Sequence, residues 1–197
     1  MSFFGCFGYL RKIKIIRDRI FKMFIPNYMF DTVYDIPLEL FEENGIKYIF
    51  FDIDNTLVPY ECDVPTKENI ELFNRLEEKG IQIIFVSNNN EERVKKYVGE
   101  SGYKYVANAG KPSIRKYKRL AESIGLKMEN CAVVGDQVFT DVVAASKLGI
   151  KSFLVKPIKD KTTLFFKTKR WLEKPVIRAY IKRENCLKCE RNGEKEQ

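Results

Sequence analysis

The stretch that decides the fold is residues 47–58, which read KYIFFDIDNTLV. Its first part, Lys47–Ile53, is a short apolar run rich in β-forming residues, and such a run predicts a buried strand. The acids Asp52 and Asp54 and the hydroxyl of Thr56 stand at alternate positions where this strand ends. In an open α/β sheet the reactive crevice lies beyond the carboxyl ends of the strands. The stretch therefore predicts both a central strand and a candidate functional site.

Four further apolar strands alternate with helical segments along the chain. The predicted strands are Ile81–Val86, Tyr103–Ala107, Cys131–Val134 and Lys151–Val155. The predicted helices between them are Lys67–Lys79, Glu91–Ser101, Ser113–Ile124 and Asp141–Leu148. This alternation is typical of βαβ units, and the continuously apolar strands indicate burial on both faces. We predict an α/β fold with a doubly wound, five-stranded parallel sheet over residues 26–156.

Polar residues also follow the next three predicted strands. Ser87 and Asn88 follow the second, Gly110 and Lys111 the third, and Gly135, Asp136 and Gln137 the fourth, with Asp141 a little further on. Taken alone, each group is equally typical of a turn or a helix N-cap. Their shared placement favours a single site, because a buried sheet has no structural need for such a set.

The chain contains no histidine. This excludes a Ser-His-Asp or Cys-His catalytic arrangement, a histidine-ligated metal and a histidine proton shuttle. If the protein is an enzyme, its chemistry must come from carboxylates, lysine, hydroxyls or cysteine.

The array of strand-end residues resembles the four motifs of the haloacid-dehalogenase-type phosphatases. Those motifs are Asp-x-Asp-x-Thr, a Ser or Thr, a Lys, and Gly-Asp-x-x-x-x-Asp, and they correspond here to Asp52–Thr56, Ser87, Lys111 and Gly135–Asp141. The resemblance spans about residues 47–155. The segments Phe24–Tyr28 and Asp35–Pro37 extend it to the subclass IIIA phosphatases without a cap domain, which include small bacterial relatives of mitochondrial phosphatidylglycerophosphatase.

The resemblance implies a role for each residue of the array. Asp52 would be the nucleophile, Asp54 the general acid and base, and Lys111 a catalytic cation. Thr56, Ser87, Asn88 and Lys111 would bind phosphate, Asp52, Asp54 (through its backbone carbonyl) and Asp136 would bind the metal, and Asp141 and Gln137 would support them. The implied metal is Mg²⁺, a hard cation that suits carboxylate and phosphate oxygens.

The gaps from Thr56 to the next helix and from Ser87 to Lys111 are too short for a cap domain. The site is therefore predicted to be open. An open site suits a phosphate displayed on a membrane, a nucleic acid or a protein better than a small metabolite.

Both ends of the chain are basic, whereas the middle is mildly acidic, and the net charge is +8. Residues 1–25 are predicted to form a basic amphipathic leader helix, with an apolar stripe that includes Leu10 and Ile16. Residues 157–185 read as a basic helical extension and residues 186–197 as a disordered tail. These ends favour an anionic phospholipid surface as the partner. Nucleic acid, plain solubility and a leader packed on the domain are the alternatives.

Cysteine usage and hydropathy indicate the compartment. The five cysteines follow no signal peptide, which predicts a reducing cytoplasm without disulfides. The pair Cys186 and Cys189 has the spacing of zinc ligands, but without a second pair or a histidine it is interpreted as a chance motif in the tail. No stretch approaches the roughly 20 apolar residues that span a bilayer. We therefore predict a cytoplasmic protein peripherally associated with the inner face of the membrane.

The sequence predicts a Mg²⁺-dependent phosphomonoester hydrolase acting through an aspartyl-phosphate. The resemblance implies phosphatidylglycerophosphate as the substrate. Three alternatives stay open: a phosphatase for nucleic-acid ends or a phosphoprotein, a phosphotransferase to an alcohol, and a non-catalytic phosphate-binding module. Nothing in the sequence indicates an oligomeric state.

Overall fold

A computed structural model describes residues 21–159 and 164–193. The chain divides into two compact units, Pro26–Asp160 and a second formed by Met1–Ile25 with Lys161–Gln197. Most of the predicted leader helix lies outside the described residues. Its last residues, from Phe21 onward, end a helical turn just before Pro26.

The larger unit is built on a parallel sheet of six strands in the order β1-β6-β5-β2-β3-β4. The strands are β1 (Tyr28–Phe30), β2 (Tyr48–Phe51), β3 (Gln82–Val86), β4 (Lys104–Val106), β5 (Cys131–Gly135) and β6 (Lys151–Val155). The helices of this unit are α1 (Leu38–Glu43), α2 (Lys67–Glu78), α3 (Glu91–Val98), α4 (Arg115–Ser123) and α5 (Val143–Leu148). The predicted α/β architecture is confirmed.

The predicted number of five strands was wrong, because β1 was missed. This strand has only three residues, all half-buried, so its apolar run is too short to predict a strand. It forms an edge of the sheet by pairing with β6. Asn27 and Ser152 reinforce this edge, since each residue donates its backbone N–H to the side-chain oxygen of the other.

Alternate residues of the strands fill two separate cores, one on each face of the sheet. Ile49 and Phe51 of β2 lie in one core, and Phe50 lies in the other. In the first core Phe85 packs edge-to-face against both Phe73 and Tyr97. Burial on both faces explains why the strands read as continuous apolar runs.

The strand order changes direction at β2. The chain runs outward from β2 to β3 and β4, and then returns to the other side of β2 to form β5 and β6. Phe51 is in register with Phe85 on β3 and with Val134 on β5. The residues that follow these three strands therefore emerge side by side at the topological switch point, where open α/β sheets bind ligands.

A buried asparagine anchors the loop that follows β2. Asn69, in the first turn of α2, is fully buried, and its Nδ2 donates to the carbonyl of Leu57 at 3.2 Å and to the Tyr34 hydroxyl at 2.7 Å. Its Oδ1 accepts from the backbone N–H of Thr66 and from the Tyr97 hydroxyl. All four hydrogen-bonding positions of this amide are thus filled. They tie the loop after β2 to α2, to Tyr97 of α3 and to the Tyr34 hydroxyl.

The last described helix, α6 (Leu164–Gly193), belongs to the smaller unit and contains Pro175. It continues past residue 185, where the basic extension was predicted to end, so the predicted disordered tail is helical as far as Gly193. The chain becomes strongly polar beyond residue 185, which is why the helix was predicted to end there. Among the residues that the structure describes, no helix is both long and apolar enough to cross a bilayer.

Candidate active site

Polar side chains from four loops converge at the carboxyl edge of the sheet, and most of them are buried. The buried members are Asp52, Asp54, Thr56, Ser87, Lys111, Asp136 and Asp141. Burial of so many polar and charged groups costs free energy unless they are paired. Their mutual contacts therefore define the site.

Three carboxylates form an acidic cluster, which comprises Asp52, Asp136 and Asp141. One oxygen from each lies within 4.8 Å of the others. Burial raises the pKa of Asp52 well above its usual value, and the neighbouring Asp141 and Asp136 raise it further, against the opposing effect of Lys111. Three carboxylates this close together need a positive charge beside them if they are to be ionised.

Lys111 supplies the cation of this cluster. Its ammonium donates to Oδ1 of Asp52 at 2.5 Å and to Oδ1 of Asp141 at 2.7 Å. Burial by itself lowers the pKa of Lys111, but Asp141 and Asp52 outweigh burial and raise that pKa well above its usual value. Lys111 is thus held as a buried cation.

The side-chain amide of Asn88 holds the backbone of Lys111. Its Oδ1 accepts from the Lys111 N–H at 2.6 Å, and its Nδ2 donates to the Lys111 carbonyl at 3.3 Å. Asn88 was predicted to bind phosphate, but in this structure both ends of its amide position the lysine loop.

Asp141 reaches the cluster only because residue 135 is a glycine. A Cβ built on Gly135 would lie 2.4 Å from Cγ of Asp141 and 2.6 Å from its Oδ2. Gly135 is therefore required for space, and not for a positive φ angle. The backbone N–H of Gln137 and the hydroxyl of Thr140 donate to the same Oδ2 and fix the Asp141 carboxylate.

The element that carries Asp141 also differs from the prediction. A helix was predicted to begin at Asp141, whereas a π-helical turn spans Val138–Val142 and α5 follows it. Such turns are rare and occur frequently at functional sites. Here the turn brings the carboxylate back over the end of β5.

Asp54 lies outside the acidic cluster and has its own set of donors. Ser87 Oγ and Asn89 Nδ2 donate to its Oδ2 at 3.3 and 3.4 Å, and the Arg93 guanidinium donates to its Oδ1 at 3.0 Å. The chain turns sharply just after it, because Asn55 has a φ of 65°. Asparagine tolerates this left-handed conformation better than most residues.

The hydroxyls predicted to bind phosphate contact carboxylates in this structure. Thr56 Oγ1 lies 3.5 Å from Oδ2 of Asp52, at the outer limit for a hydrogen bond, while Ser87 contacts Asp54. Both side chains are nevertheless beside the two acids that the sequence placed at the centre of the site.

Two residues that contact Asp54 were not among the predicted site residues. Asn89 and Arg93 contact Asp54 directly. Burial, followed by the charges of Asp54, Asp52 and Asp136, raises the pKa of the Tyr60 hydroxyl to about 12. No sequence signal distinguishes Arg93 from Lys95 and Lys96, the other cations of α3.

Comparison with known proteins agrees with this geometry. A model of the haloacid dehalogenase-like hydrolases matches residues 60–149. The chain is 33% identical over 169 residues to a Bacillus subtilis (strain 168) protein named probable phosphatase YqeG, and the alignment covers 86% of this chain and 98% of that protein.

The chain belongs to the haloacid dehalogenase-like hydrolase family.

Two more distant similarities accompany this assignment. The chain is 22% identical over 179 residues to phosphatidylglycerophosphate phosphatase 1, chloroplastic/mitochondrial, of Arabidopsis thaliana, covering 86% of this chain and about half (51%) of that protein. Among solved structures, a protein from Listeria monocytogenes serotype 4b aligns with a TM-score of 0.48 and 17% identity, covering 60% of this chain and 85% of that chain.

Within the haloacid dehalogenase-like hydrolases, this chain is a phosphatase without a cap domain. The residues between Thr56 and α2 form one short loop, and those between Ser87 and Lys111 contain only α3 and β4. Neither connection adds a layer over the carboxyl edge of the sheet.

The acidic cluster fits a divalent metal ion. Its three oxygens are buried, close together and chemically hard, which is the donor set that Mg²⁺ prefers. Lys111 pairs with Asp52 and Asp141, so one positive charge faces three carboxylates. Asp141 belongs to this cluster, although only a supporting role was predicted for it. The Asp54 carboxylate does not belong to the cluster, because it accepts hydrogen bonds from Ser87, Asn89 and Arg93.

Proposed function

We propose that this phosphatase hydrolyses phosphate monoesters through an aspartyl-phosphate on Asp52, with Mg²⁺ as cofactor and phosphatidylglycerophosphate as substrate. The observation that carries the proposal is the buried cluster in which Asp52 contacts Lys111 and lies beside Asp136 and Asp141. A structural ion pair would not need two additional carboxylates at the topological switch point of the sheet.

The first step is attack by a carboxylate oxygen of Asp52 on phosphorus. The new bond to Asp52 forms as the bond between phosphorus and the alkoxy oxygen breaks, and Asp54 gives its proton to the departing alkoxide. In the second step water attacks the phosphoryl group, Asp54 takes a proton from that water, and the bond to Asp52 breaks to release inorganic phosphate. Covalent catalysis of this kind divides one difficult hydrolysis into two easier steps.

Charge neutralisation is the main electrostatic requirement of this reaction, because the nucleophile and the phosphate are both anionic. Lys111 contributes a fixed positive charge at the cluster. Because Asn88 holds its backbone, the lysine does not have to move as the reaction proceeds. Bound Mg²⁺, held by Asp52 and Asp136 with Asp141 nearby, would supply further neutralisation of the phosphoryl oxygens. Ser87 and Thr56 place hydroxyl donors beside the two catalytic acids.

The open edge of the sheet supports a substrate that is displayed on a surface. With no cap to enclose a small molecule, binding energy must come from a larger substrate or from the surface that carries it. The distant similarity to an Arabidopsis phosphatase named for phosphatidylglycerophosphate supports a phospholipid.

Helix α6 supports a membrane surface as the partner. Trp171 and Ile181 are strongly exposed, at 66% and 49%. Helical periodicity puts them on one face with Lys174, Arg178 and Lys182, which are also exposed. A face that combines an aromatic anchor with several cations suits the headgroup region of an anionic bilayer. We therefore place the protein at the cytoplasmic face of a membrane.

A phosphate-release screen tests the substrate. Purified protein with Mg²⁺ is given phosphatidylglycerophosphate in mixed vesicles, a 5′-phosphorylated oligonucleotide, a phosphopeptide, a nucleotide and a sugar phosphate, with Asp52→Asn as the blank. We expect the lipid to be hydrolysed fastest. Preferential release from the oligonucleotide or the phosphopeptide would overturn the lipid assignment, and release that persists in Asp52→Asn would overturn the mechanism.

Vesicle co-sedimentation tests the partner separately. The wild-type chain is compared with a variant in which Lys174, Arg178 and Lys182 are replaced by glutamine. We expect binding to vesicles that contain phosphatidylglycerol and weaker binding by the variant. Equal binding to neutral phosphatidylcholine vesicles, or no loss in the variant, would contradict an electrostatic membrane site on α6.

A further inference from the structure

Arg93 is a buried cation that no motif of the site accounts for. It lies in the first turn of α3, where its backbone N–H donates to the capping side chain of Asn90 at 2.9 Å. Its side chain is only 11% exposed. An arginine on a helix surface is ordinarily solvated, so this burial needs a partner within the protein.

The neighbouring cations of α3 show the ordinary arrangement. Lys95 pairs with Glu91 and Lys96 with Glu92, each four residues apart and with more than half of the lysine side chain exposed. Such pairs contribute little. Arg93 instead turns inward, away from these acids.

The principal partner of Arg93 is Asp54. One terminal nitrogen of the guanidinium donates to Oδ1 of Asp54 at 3.0 Å, and the exposed fractions of the two side chains are 11% and 7%. Ser87 and Asn89 hold the other oxygen of the same carboxylate through longer bonds of 3.3 and 3.4 Å. Arg93 therefore makes the shortest contact that orients Asp54 and the one that carries a full charge.

The same guanidinium also contacts the loop after β2. The nitrogen that binds Asp54 donates to the carbonyl of Cys62 at 2.6 Å, and the other terminal nitrogen lies 3.5 Å from a carboxylate oxygen of Asp63. The planar guanidinium joins the loop and the carboxylate in one geometry, which a lysine could not reproduce.

We propose that Arg93 is a positioning residue that acts through Asp54. This inference rests on the proposed function, in which Asp54 exchanges a proton with the leaving group and with water. Arg93 holds the carboxylate in one orientation, so that its protonated oxygen reaches the departing alkoxide. Transfer of the phosphoryl group to Asp52 from substrates with poor leaving groups, such as alkyl phosphates, depends on this orientation. The same transfer from aryl phosphates, whose leaving groups depart without a proton, depends on it far less, whereas the later attack by water needs Asp54 for both substrates.

The test compares two substrates across variants of α3. Glycerol 3-phosphate and p-nitrophenyl phosphate are hydrolysed by wild type, Arg93→Gln, Arg93→Lys and, as the matched control, Lys96→Gln. We expect Arg93→Gln to lower kcat/KM on the alkyl phosphate about 10²-fold, since a positioned acid–base group contributes about 10²–10⁴-fold. On the aryl phosphate we expect kcat/KM to fall less than about tenfold, because kcat/KM reports the transfer of the phosphoryl group to Asp52 and not the later attack by water. Lys96→Gln should match wild type.

Arg93→Lys keeps the inference testable if Arg93→Gln folds poorly. It preserves the charge and should recover part of the activity on the alkyl phosphate. Equal losses on the two substrates, or a loss confined to KM, would show that Arg93 is merely structural or that it binds substrate.

A double variant shows whether Arg93 acts through Asp54. If it does, Asp54→Asn with Arg93→Gln is no slower on the alkyl phosphate than Asp54→Asn alone, because residues that act as a unit are not additive. A multiplicative loss overturns the inference. Wild-type protein that hydrolyses neither these two substrates nor phosphatidylglycerophosphate in vesicles would overturn the proposed function together with it, whereas an active wild type with an unaffected Arg93→Gln overturns the inference alone.

Discussion

The ammonium of Lys111 lies 2.5 Å from Oδ1 of Asp52, although 59 positions of sequence separate the two residues. Both side chains are almost fully buried. A buried ion pair is weak evidence of net stabilisation, but removal of one partner leaves an uncompensated buried charge. This pair therefore links the chemistry of the site to the stability of the fold.

Replacement of Lys111 by methionine should both inactivate and destabilise the protein. The change leaves the three acids of the cluster without Lys111, and breaking a buried pair costs about 3–5 kcal/mol. Urea unfolding at neutral pH measures the loss. Lys79→Met is the control, because Lys79 pairs with Glu42 at the surface, where a pair contributes about 0–1 kcal/mol. Similar losses in the two variants would contradict a special role for the buried pair.

Replacement of Asp54 by asparagine should let a phosphoenzyme accumulate on p-nitrophenyl phosphate. The leaving group departs without a proton, but water is no longer activated, and loss of such a group lowers the rate about 10²–10⁴-fold. Mass spectrometry of acid-quenched protein detects the added phosphoryl group. Asp52→Asn serves as the comparison and should show none. A phosphoryl group on any residue other than Asp52 would rule out the mechanism.

Stability at low Mg²⁺ should depend on pH through Asp52. Its pKa in the folded protein is well above the usual 3.8, because burial, together with the charges of Asp141 and Asp136, outweighs the opposing effect of Lys111. Between 3.8 and the raised pKa the folded chain keeps a proton that the unfolded chain has released. The contribution of Asp52 to the free energy of unfolding therefore falls as pH rises through this range.

Thermal melts in EDTA measure this contribution. The Tm of wild type relative to Asp52→Asn should fall as the pH rises from 3.8 toward neutrality, and added Mg²⁺ should raise the wild-type Tm more at neutral than at acidic pH. A constant Tm difference between the two proteins would show that Asp52 titrates normally.

Replacement of Gly135 by alanine should displace Asp141. The new methyl group would lie 2.4–2.7 Å from side-chain atoms of Asp141. Overpacking of this kind costs about 1–3 kcal/mol. We expect loss of both stability and activity, measured by urea unfolding and phosphate release. In the presence of Asp141→Ala the same glycine change should cost less stability, because the clashing carboxylate is gone. An undiminished cost would locate the strain elsewhere.

Replacement of Asn69 by leucine should destabilise the larger unit. The change leaves the Leu57 carbonyl, the Thr66 N–H and the Tyr97 hydroxyl without their partner, and each buried unsatisfied group costs about 1–3 kcal/mol. Asn130→Leu is the control, since Asn130 makes a single exposed hydrogen bond to Gly45. Urea unfolding compares the two, and equal losses would contradict the role of Asn69 as an anchor.

The strand-end residues could be predicted because two simple regularities act together. Apolar runs mark strands that are buried on both faces, and parallel strands bring the residues that follow them to one edge. These two regularities suffice to predict that Asp52, Lys111 and Asp136 lie at the same edge of the sheet. The half-buried strand Tyr28–Phe30 was not predicted, because its apolar run of three residues is too short for the first regularity to apply.

Contacts that depend on side-chain direction could not be predicted in this way. Arg93 lies on α3 with two other cations, Lys95 and Lys96, which form ordinary ion pairs at the surface. In the sequence Arg93 looks like one more cation of the same kind. Only the coordinates show that it turns inward. Asn88 illustrates the same limit, since its position near the site was predicted and its contact with the Lys111 backbone was not.

The close approach of Gly135 and Asp141 has an evolutionary consequence. A side chain at position 135 and a carboxylate at position 141 compete for the same volume, so neither site can diverge independently of the other. Descendants of this chain that abandon the acid are free to acquire any small residue in place of the glycine. Joint loss of the two would therefore mark lineages that have given up this chemistry while retaining the fold.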